Sequence, residues 1–333
     1  MDLSGCYPGE GSGPDEHARV ERVGETMQLQ PRCFFRGFAL LIIPLALGSA
    51  GCRPADGPTE ISKSGPLHEY EVEKVIEVAG RQGVATDGTY YFISGSTALY
   101  VYSKDGELLR SNEEPFLDLA RPANHIGDIA VHNGELFAGV EWFDDGQGHD
   151  IQVAVYDTND LSYLRSIDWN PESGQVEVSA VTVDPHRSLL YLTDWVNGNH
   201  VYRYDLGTGE YQGKLRLNPV PQRQQGIAYR GGFLYITADD GEADLEEADN
   251  LWRVEAEPAA SSAFVSHELE LLDLRRAGEV EGVAWDELAD ELLVLSNRGA
   301  RIVRGMPSGF YPGYDREVHE VYVFRARESP ADR

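Results

Sequence analysis

Apolar residues in this chain come in short bursts in which Val, Ile, Leu, Tyr and Phe alternate with polar positions. Each burst is bounded by Asp, Asn or Gly. A period of two places successive side chains on opposite faces of an extended strand. The bounding residues are those that let a chain turn back on itself. No stretch keeps a helical period, so the pattern predicts an all-β protein.

Laid against itself, the chain repeats one unit five times. First strands read QGVATDG (82–88), GDIAVHNG (127–134), SAVTVDP (179–185), QGIAYRGG (225–232) and EGVAWDE (281–287). Second strands follow at 90–94, 135–142, 189–195, 233–240 and 291–297, and third strands at 98–106, 151–160, 200–209, 250–256 and 320–326. Fourth strands are weaker: ELLRS, YLRSI, YQGKLRL and HELELLDL. The equivalent positions 82, 127, 179, 225 and 281 lie about 50 residues apart. Four-stranded antiparallel units at a period of roughly 40–50 residues are β-propeller blades. The expected fold is therefore a five-bladed β-propeller, with six blades as the alternative if a divergent copy is hidden. The last copy lacks a fourth strand, and YEVEKVIEVA (70–79) is a spare one. Pairing the two closes the ring and removes exposed edges.

The N-terminal region reads as an address. Residues 38–47, FALLIIPLAL, follow Arg32 and Arg36 and precede small residues up to Cys52. A basic segment, a short apolar run and a small-residue zone make a secretory signal peptide. The run falls short of the ~20 residues a spanning helix needs. Cys6, Cys33 and Cys52 are the only cysteines, so the domain that follows has no disulfide to rely on. Leu47-Gly48-Ser49-Ala50-Gly51-Cys52 resembles a bacterial lipobox, which makes Cys52 the expected lipidation site; ordinary cleavage after Ala50 is the alternative. The expected organisation is an N-terminal extension (1–26, with Met27 as the true start), a signal peptide (27–51), a lipid-anchored tether (52–66), one propeller domain (67–328) and a tail (329–333). The expected location is the cell envelope, on the periplasmic or surface face of a membrane touched only through the lipid anchor.

Charge narrows the partners. The chain carries 28 Lys+Arg against 56 Asp+Glu, a net charge of −28. Phosphate binding needs clustered Lys and Arg, so no nucleic acid partner is expected. Small cations, cationic groups and neutral polar ligands stay open, and oligomeric state is left undetermined.

In an up-and-down blade, the start of the first strand and the second-to-third loop share one end of the axis. That places Gln82, His125, Asp128, Glu177, Ser179, Arg223, Gln225, Glu279 and Glu281 at one mouth. Glu141, Trp142, Asp194, Trp195, Asp239, Asp240, Asn297 and Arg298 come around them. Loops of this end are long in the last two units, and long loops on a rigid scaffold carry function. The last one brings Phe310, Tyr311 and Tyr314, which together with Trp142 and Trp195 would stack on a ligand or pack the mouth shut. Arg223 and Arg298 are the expected partners of Glu177, Glu279 and Glu281. Asp87, Asp184 and Asp286 fall at the opposite mouth as turn formers. Run 239–249 holds seven carboxylates. A hard cation such as Ca²⁺ wants about six to eight oxygens, so this loop is either a divalent-cation site or a solvated acidic loop. His125 beside Asp128 is the candidate general base.

Residues 281–304, EGVAWDELADELLVLSNRGARIVR, resemble a blade of the regucalcin/gluconolactonase family. The resemblance implies a divalent-metal ligand at Glu281 and lactonase chemistry; the other equivalent positions, Gln82, Gly127, Ser179 and Gln225, lack the family's Asn and Asp. The Q-G-[VI]-A starts are similar to NHL-type propellers. No G-x-S-x-G, H-E-x-x-H or P-loop is present. Three functions follow as expectations. The first is an anchored propeller binding a small polar molecule, carbohydrate among the candidates, at the axial mouth. The second is a metal-assisted hydrolase or lyase there, with Glu281 and His125 catalytic. The third is an envelope scaffold.

Overall fold

The computed structural model describes residues 66–144, 146–274, 277–303 and 306–328. The expected signal peptide, Cys52 and the tether up to residue 65 lie outside the described residues. The described part is all-β, as the alternation predicts; its only helical pieces are two single 3-10 turns, Pro171–Ser173 and Ala243–Leu245.

A long strand, β1 (His68–Val78), opens the domain. The first unit is β2 (Gly83–Thr86), β3 (Tyr90–Ser94), β4 (Leu99–Ser103) and β5 (Leu108–Asn112). The second is β6 (His125–His132), β7 (Glu135–Asp144), β8 (Gln147–Asp157) and β9 (Tyr163–Asp168). The third is β10 (Ala180–Asp184), β11 (Leu189–Thr193), β12 (His200–Asp205) and β13 (Tyr211–Asn218). The fourth is β14 (Gln224–Arg230), β15 (Phe233–Ala238), β16 (Asn250–Glu255) and β17 (Ser262–Glu270). The last copy gives β18 (Gly278–Asp286), β19 (Glu291–Arg298), a hairpin of β20 (Ala300–Val303) and β21 (Met306–Phe310), and β22 (Val318–Glu328).

Within each unit neighbouring strands pair antiparallel in chain order. The last sheet runs β1-β22-β19-β18, with β1 paired antiparallel to β22 from His68↔Glu328 to Val78↔His319. The spare N-terminal strand thus supplies the missing fourth position. The third and fourth sheets are joined by a short parallel pairing of β13 with β17, Arg216↔Ser262 to Asn218↔Phe264. This pairing comes from the start of β17, five residues ahead of the HELELLDL segment in which the pattern placed it.

Burial follows position in the sheet. All five residues of β10 are buried, so a first strand reads as the near-continuous apolar run AVTVD. Along β1, at the outside, partly buried and exposed residues alternate strictly until Val78. Turns between first and second strands are set by Asp87, Asp184 and Asp286. Each Oδ1 accepts two backbone N–H groups, two and three residues on.

Apolar packing falls into five clusters, each between two neighbouring units. Ile126 and Tyr156 pack on Phe92 and Val101, Val155 on Val181 and Tyr204, Leu217 on Ile236, and Tyr235 on Val294 and Phe324. The fifth sets Leu295 and Val323 of the last unit on Val84 and Ile93 of the first. First strands β2, β6, β10, β14 and β18 also touch in a closed cycle.

At the centre of that cycle sits Asp128, with no exposed surface. Its Oδ1 accepts from Val84 N (2.9 Å) and Ile129 N (2.9 Å), and its Oδ2 from Ile227 N (3.2 Å) and Val283 N (3.1 Å). Its own N–H donates to Ser179 O at 2.8 Å. One residue thereby ties all five first strands. Space for it comes from the equivalent positions Gly83 and Gly282. A Cβ on Gly83 would stand 2.7 Å from the Asp128 Oδ1, and one on Gly282 would overlap that oxygen.

Candidate functional site

Two hollows lie around the centre. The wider, about 490 Å³, is lined by the ends of the first strands and the turns that follow them, including Thr86, Val131, Thr182, Tyr229 and Trp285. The narrower, about 40 Å³, is lined by the starts of the first strands and the ends of the second. Every unit contributes to this narrow cleft: Arg81 and Gln82, His125 and Phe143, Glu177, Ser179 and Trp195, Gln225, and finally Glu279 and Glu281.

Of the residues expected at this mouth, Gln82, His125, Glu177, Trp195, Gln225 and Glu281 line the cleft, with Ser179 and Glu279. Gln82 Nε2 donates to Ser96 Oγ (3.3 Å), which leaves its Oε1 as an acceptor. His125 Nδ1 lies 3.4 Å from Glu141 Oε1, and its ring packs 5.5 Å from that of Phe143. Glu177 Oε2 accepts from Trp195 N at 2.5 Å, so the second-to-third loop of the third unit is pinned to the start of β10.

The other expected residues sit elsewhere. Asp128, expected beside His125 as a ligand or catalytic partner, has both oxygens committed to the centre of the fold. The His125 ring pairs with Glu141 instead. Asp194 is buried behind the cleft, its Oδ2 accepting from Tyr202 OH at 2.8 Å. Arg223 pairs with Asp239 (3.3 Å) and Arg298 with Glu320 (2.9 Å); neither forms an ion pair with a cleft carboxylate, and Arg223 acts on Glu279 only through its charge. Asn297 is fully buried and donates Nδ2 to Glu281 Oε1 at 2.5 Å. Tyr311 lies under the Arg301 guanidinium, 4.6 Å from its ring centre.

Two cleft residues were not anticipated. Arg81, next to Gln82, is the guanidinium that does face the acids, 3.8 Å from Glu279 and 3.9 Å from Glu281. Phe143 takes the place expected of Trp142, which is 44% exposed. Register between β7 and β8 shifts between Val140 and Trp142. Such an irregularity exchanges the faces of the residues beyond it.

Burial dominates the electrostatics. It pushes Glu177 well above the ordinary carboxylate range, with the Glu141 and Asp194 charges adding to the effect. Glu281 is likewise raised by burial and then by Glu279. Glu279 is pushed up to about 7, mainly by burial, against the pull of Arg81. Asp194 rises to about 7, Asp239 to about 9 and Asp249 to about 6, each chiefly because it is out of water.

The residues present do not fit the divalent cation expected at Glu281. Its Oε1 accepts from Asn297, and the Arg81 guanidinium stands 3.9 Å away. Among the described residues no group of three or more His, Cys, Asp or Glu is placed to hold a metal. In run 239–249, Asp240 accepts from Asn250 Nδ2 and Trp252 Nε1, and Asp249 from Gly241 N and Val280 N. These oxygens serve to shape the loop. No family model matches the chain, and no curated protein matches it.

Proposed function

We propose that residues 67–328 form a five-bladed β-propeller that binds a small polar ligand in the narrow axial cleft, exported and held at a membrane by a lipid on Cys52. Five inter-unit cores and a closed cycle of first strands support the architecture. The observation that carries the function is the convergence of polar side chains from all five units on one cleft with two aromatic walls. A few placed polar groups against an aromatic surface is how protein sites select polar molecules. His125 with Glu141 offers acid–base capacity, and no metal-dependent step is derived.

Thermal unfolding of the full chain against sugars, polyols, amines and amino acids tests this. A ligand at a hundredfold excess over its Kd stabilises by about 2.7 kcal/mol. That shifts Tm by several degrees, and Gln225→Ala or Glu177→Gln should abolish the shift. A panel without any shift would overturn the reading. The wide hollow at the other end favours a second location, because its volume falls in the usual range of ligand pockets. Ala130→Phe, which fills that hollow, would then remove the shift while the cleft variants kept it.

A further inference from the structure

We propose that the wide hollow is a second binding site, for a compact, uncharged, apolar molecule with one oxygen acceptor that takes the indole N–H of Trp285. The site is separate from the narrow cleft, and it holds whether or not the cleft reading does.

Shape is the first argument. At the axis the first strands close on one another: a Cβ on Gly282 would stand 2.6 Å from Gly83 Cα, and one on Gly226 2.8 Å from Gly282 Cα. No residue lines both hollows, so the wide one is a blind cup and not a channel. Two residues along from Asp128 and its equivalents stand Ala85, Ala130, Thr182, Ala228 and Ala284, and all five line the cup. With such small side chains around the axis, about 490 Å³ stays open, within the roughly 300–1,000 Å³ of ligand pockets.

An unmet donor is the second, independent argument. Trp285 lines the cup and is 7% exposed, and among the described residues its Nε1 has no hydrogen-bond partner. Its ring is held in place, with the Arg230 guanidinium 4.1 Å from its centre and the Tyr235 ring edge-on at 5.1 Å. An indole N–H only donates, so an acceptor is what satisfies it. Left bare in the interior, it costs free energy. Thr182, buried and lining the same cup, adds a second donor. Its Oγ1 accepts from Tyr229 N at 3.1 Å, and among the described residues its O–H donates to nothing.

Charge is the third. No arginine or lysine lines the cup, and the exposed Asp87 and Glu287 are among its lining residues, so an anion finds no partner there. An ammonium ion brings only donors, which Trp285 and Thr182 already supply. Ile129, Ile227 and Val283 join the alanines in the wall, and Leu288 adds an exposed apolar side chain. An apolar body gains by leaving water for such a surface.

Isothermal titration of the full chain with 1-tetralone, tetralin, 1-aminotetralin and tetrahydro-1-naphthoate tests the class on one carbon frame. Tetralone should bind at least about tenfold more tightly than tetralin, and the cation and the anion should bind no better than tetralin. Trp285→Phe, which keeps a ring and removes the N–H, should bring tetralone down to the tetralin level. Should that variant fail to fold, Ala130→Phe decides, since by filling the cup it should abolish binding. Gln225→Ala, in the narrow cleft, should leave tetralone binding unchanged. Tetralin matching tetralone would overturn the acceptor, and either ion matching it would overturn the uncharged class. Tetralone binding that survives Ala130→Phe, or is lost with Gln225→Ala, would place it outside the cup. Heat from none of the four would overturn the site and leave the cleft reading untouched.

Discussion

Asp128 accepts the backbone N–H of Val283 at 3.1 Å across 155 positions of sequence. The same carboxylate holds Val84, Ile129 and Ile227, so four donors share two oxygens. An amide there keeps one acceptor and turns two N–H donors toward backbone N–H groups. Asp128→Asn should therefore cost about 2 kcal/mol or more, from two hydrogen bonds lost and their buried donors left bare. Denaturant unfolding of the variant measures it. A loss under about 1 kcal/mol would show that the tie is dispensable.

Room for that carboxylate is a property of the repeat. Aligned by unit, the second position of each first strand reads Gly83, Asp128, Ala180, Gly226 and Gly282: one large residue among four small ones. A Cβ at Gly282 would overlap the Asp128 Oδ1, which the Val84 and Ile129 N–H groups hold in place. Gly282→Ala should cost about 1–3 kcal/mol through overpacking. Paired with Asp128→Ala, which removes the Oδ1 overlap, the glycine change should cost less but keep part of its penalty, because the new Cβ would still stand 2.6 Å from Gly83 Cα and 2.7 Å from Val84 N. A double-mutant cycle in denaturant checks the coupling.

The repeated strands, the four-strand units and the partner of the spare N-terminal strand were readable because alternation and turn residues are local signals. Part of the cleft was readable for the same reason, since equivalent positions of a repeat meet at one end. What escaped is what depends on neighbours. The Phe143 and Trp142 exchange comes from a register shift against β8 that no run of β7 residues reveals. Asp128 read as chemistry because its four backbone donors come from three other units and its own strand. Hairpin β20–β21, whose Val303 and Phe310 are about half exposed, was read as loop because so little of it is buried.

Raised carboxyls make stability depend on pH in a stated direction. Asp249 at about 6, Asp194 and Glu279 at about 7 and Asp239 at about 9 all hold protons more tightly folded than unfolded. Their contribution is fully present below the unfolded value, near 4, and is lost as pH rises through the folded ones. Tm should fall between about pH 5 and pH 9, since the folded state binds more protons over that span. Glu279→Gln should flatten part of the slope around pH 7. A Tm that rises steadily from pH 5 to 9 in the parent would contradict the assignment.

Glu268 runs the other way. It lies buried at the end of β17, its Oε2 receiving Arg253 Nη1 (2.6 Å) and its Oε1 receiving Tyr70 OH (2.8 Å), with Leu67 N at 3.2 Å. Tyr70 lies near the start of the closing strand and Leu67 just before it, so this carboxylate of the fourth unit fastens the start of β1 in addition to its β22 pairing. Burial pushes its pKa up, but His68, Tyr70 and Arg253 outweigh it and the net shift is downward. Its contribution is therefore present above the unfolded value and lost as pH falls through the folded one, below about 4. Glu268→Ala breaks a buried ion pair and strips the N-terminal end of its partner, which costs about 3–5 kcal/mol. Damage should be local first: amides of Leu67 to Val72 should exchange hydrogen faster, while those of β10 stay protected. Uniform loss of protection across both strands would mean that Glu268 supports the whole ring and not its seam.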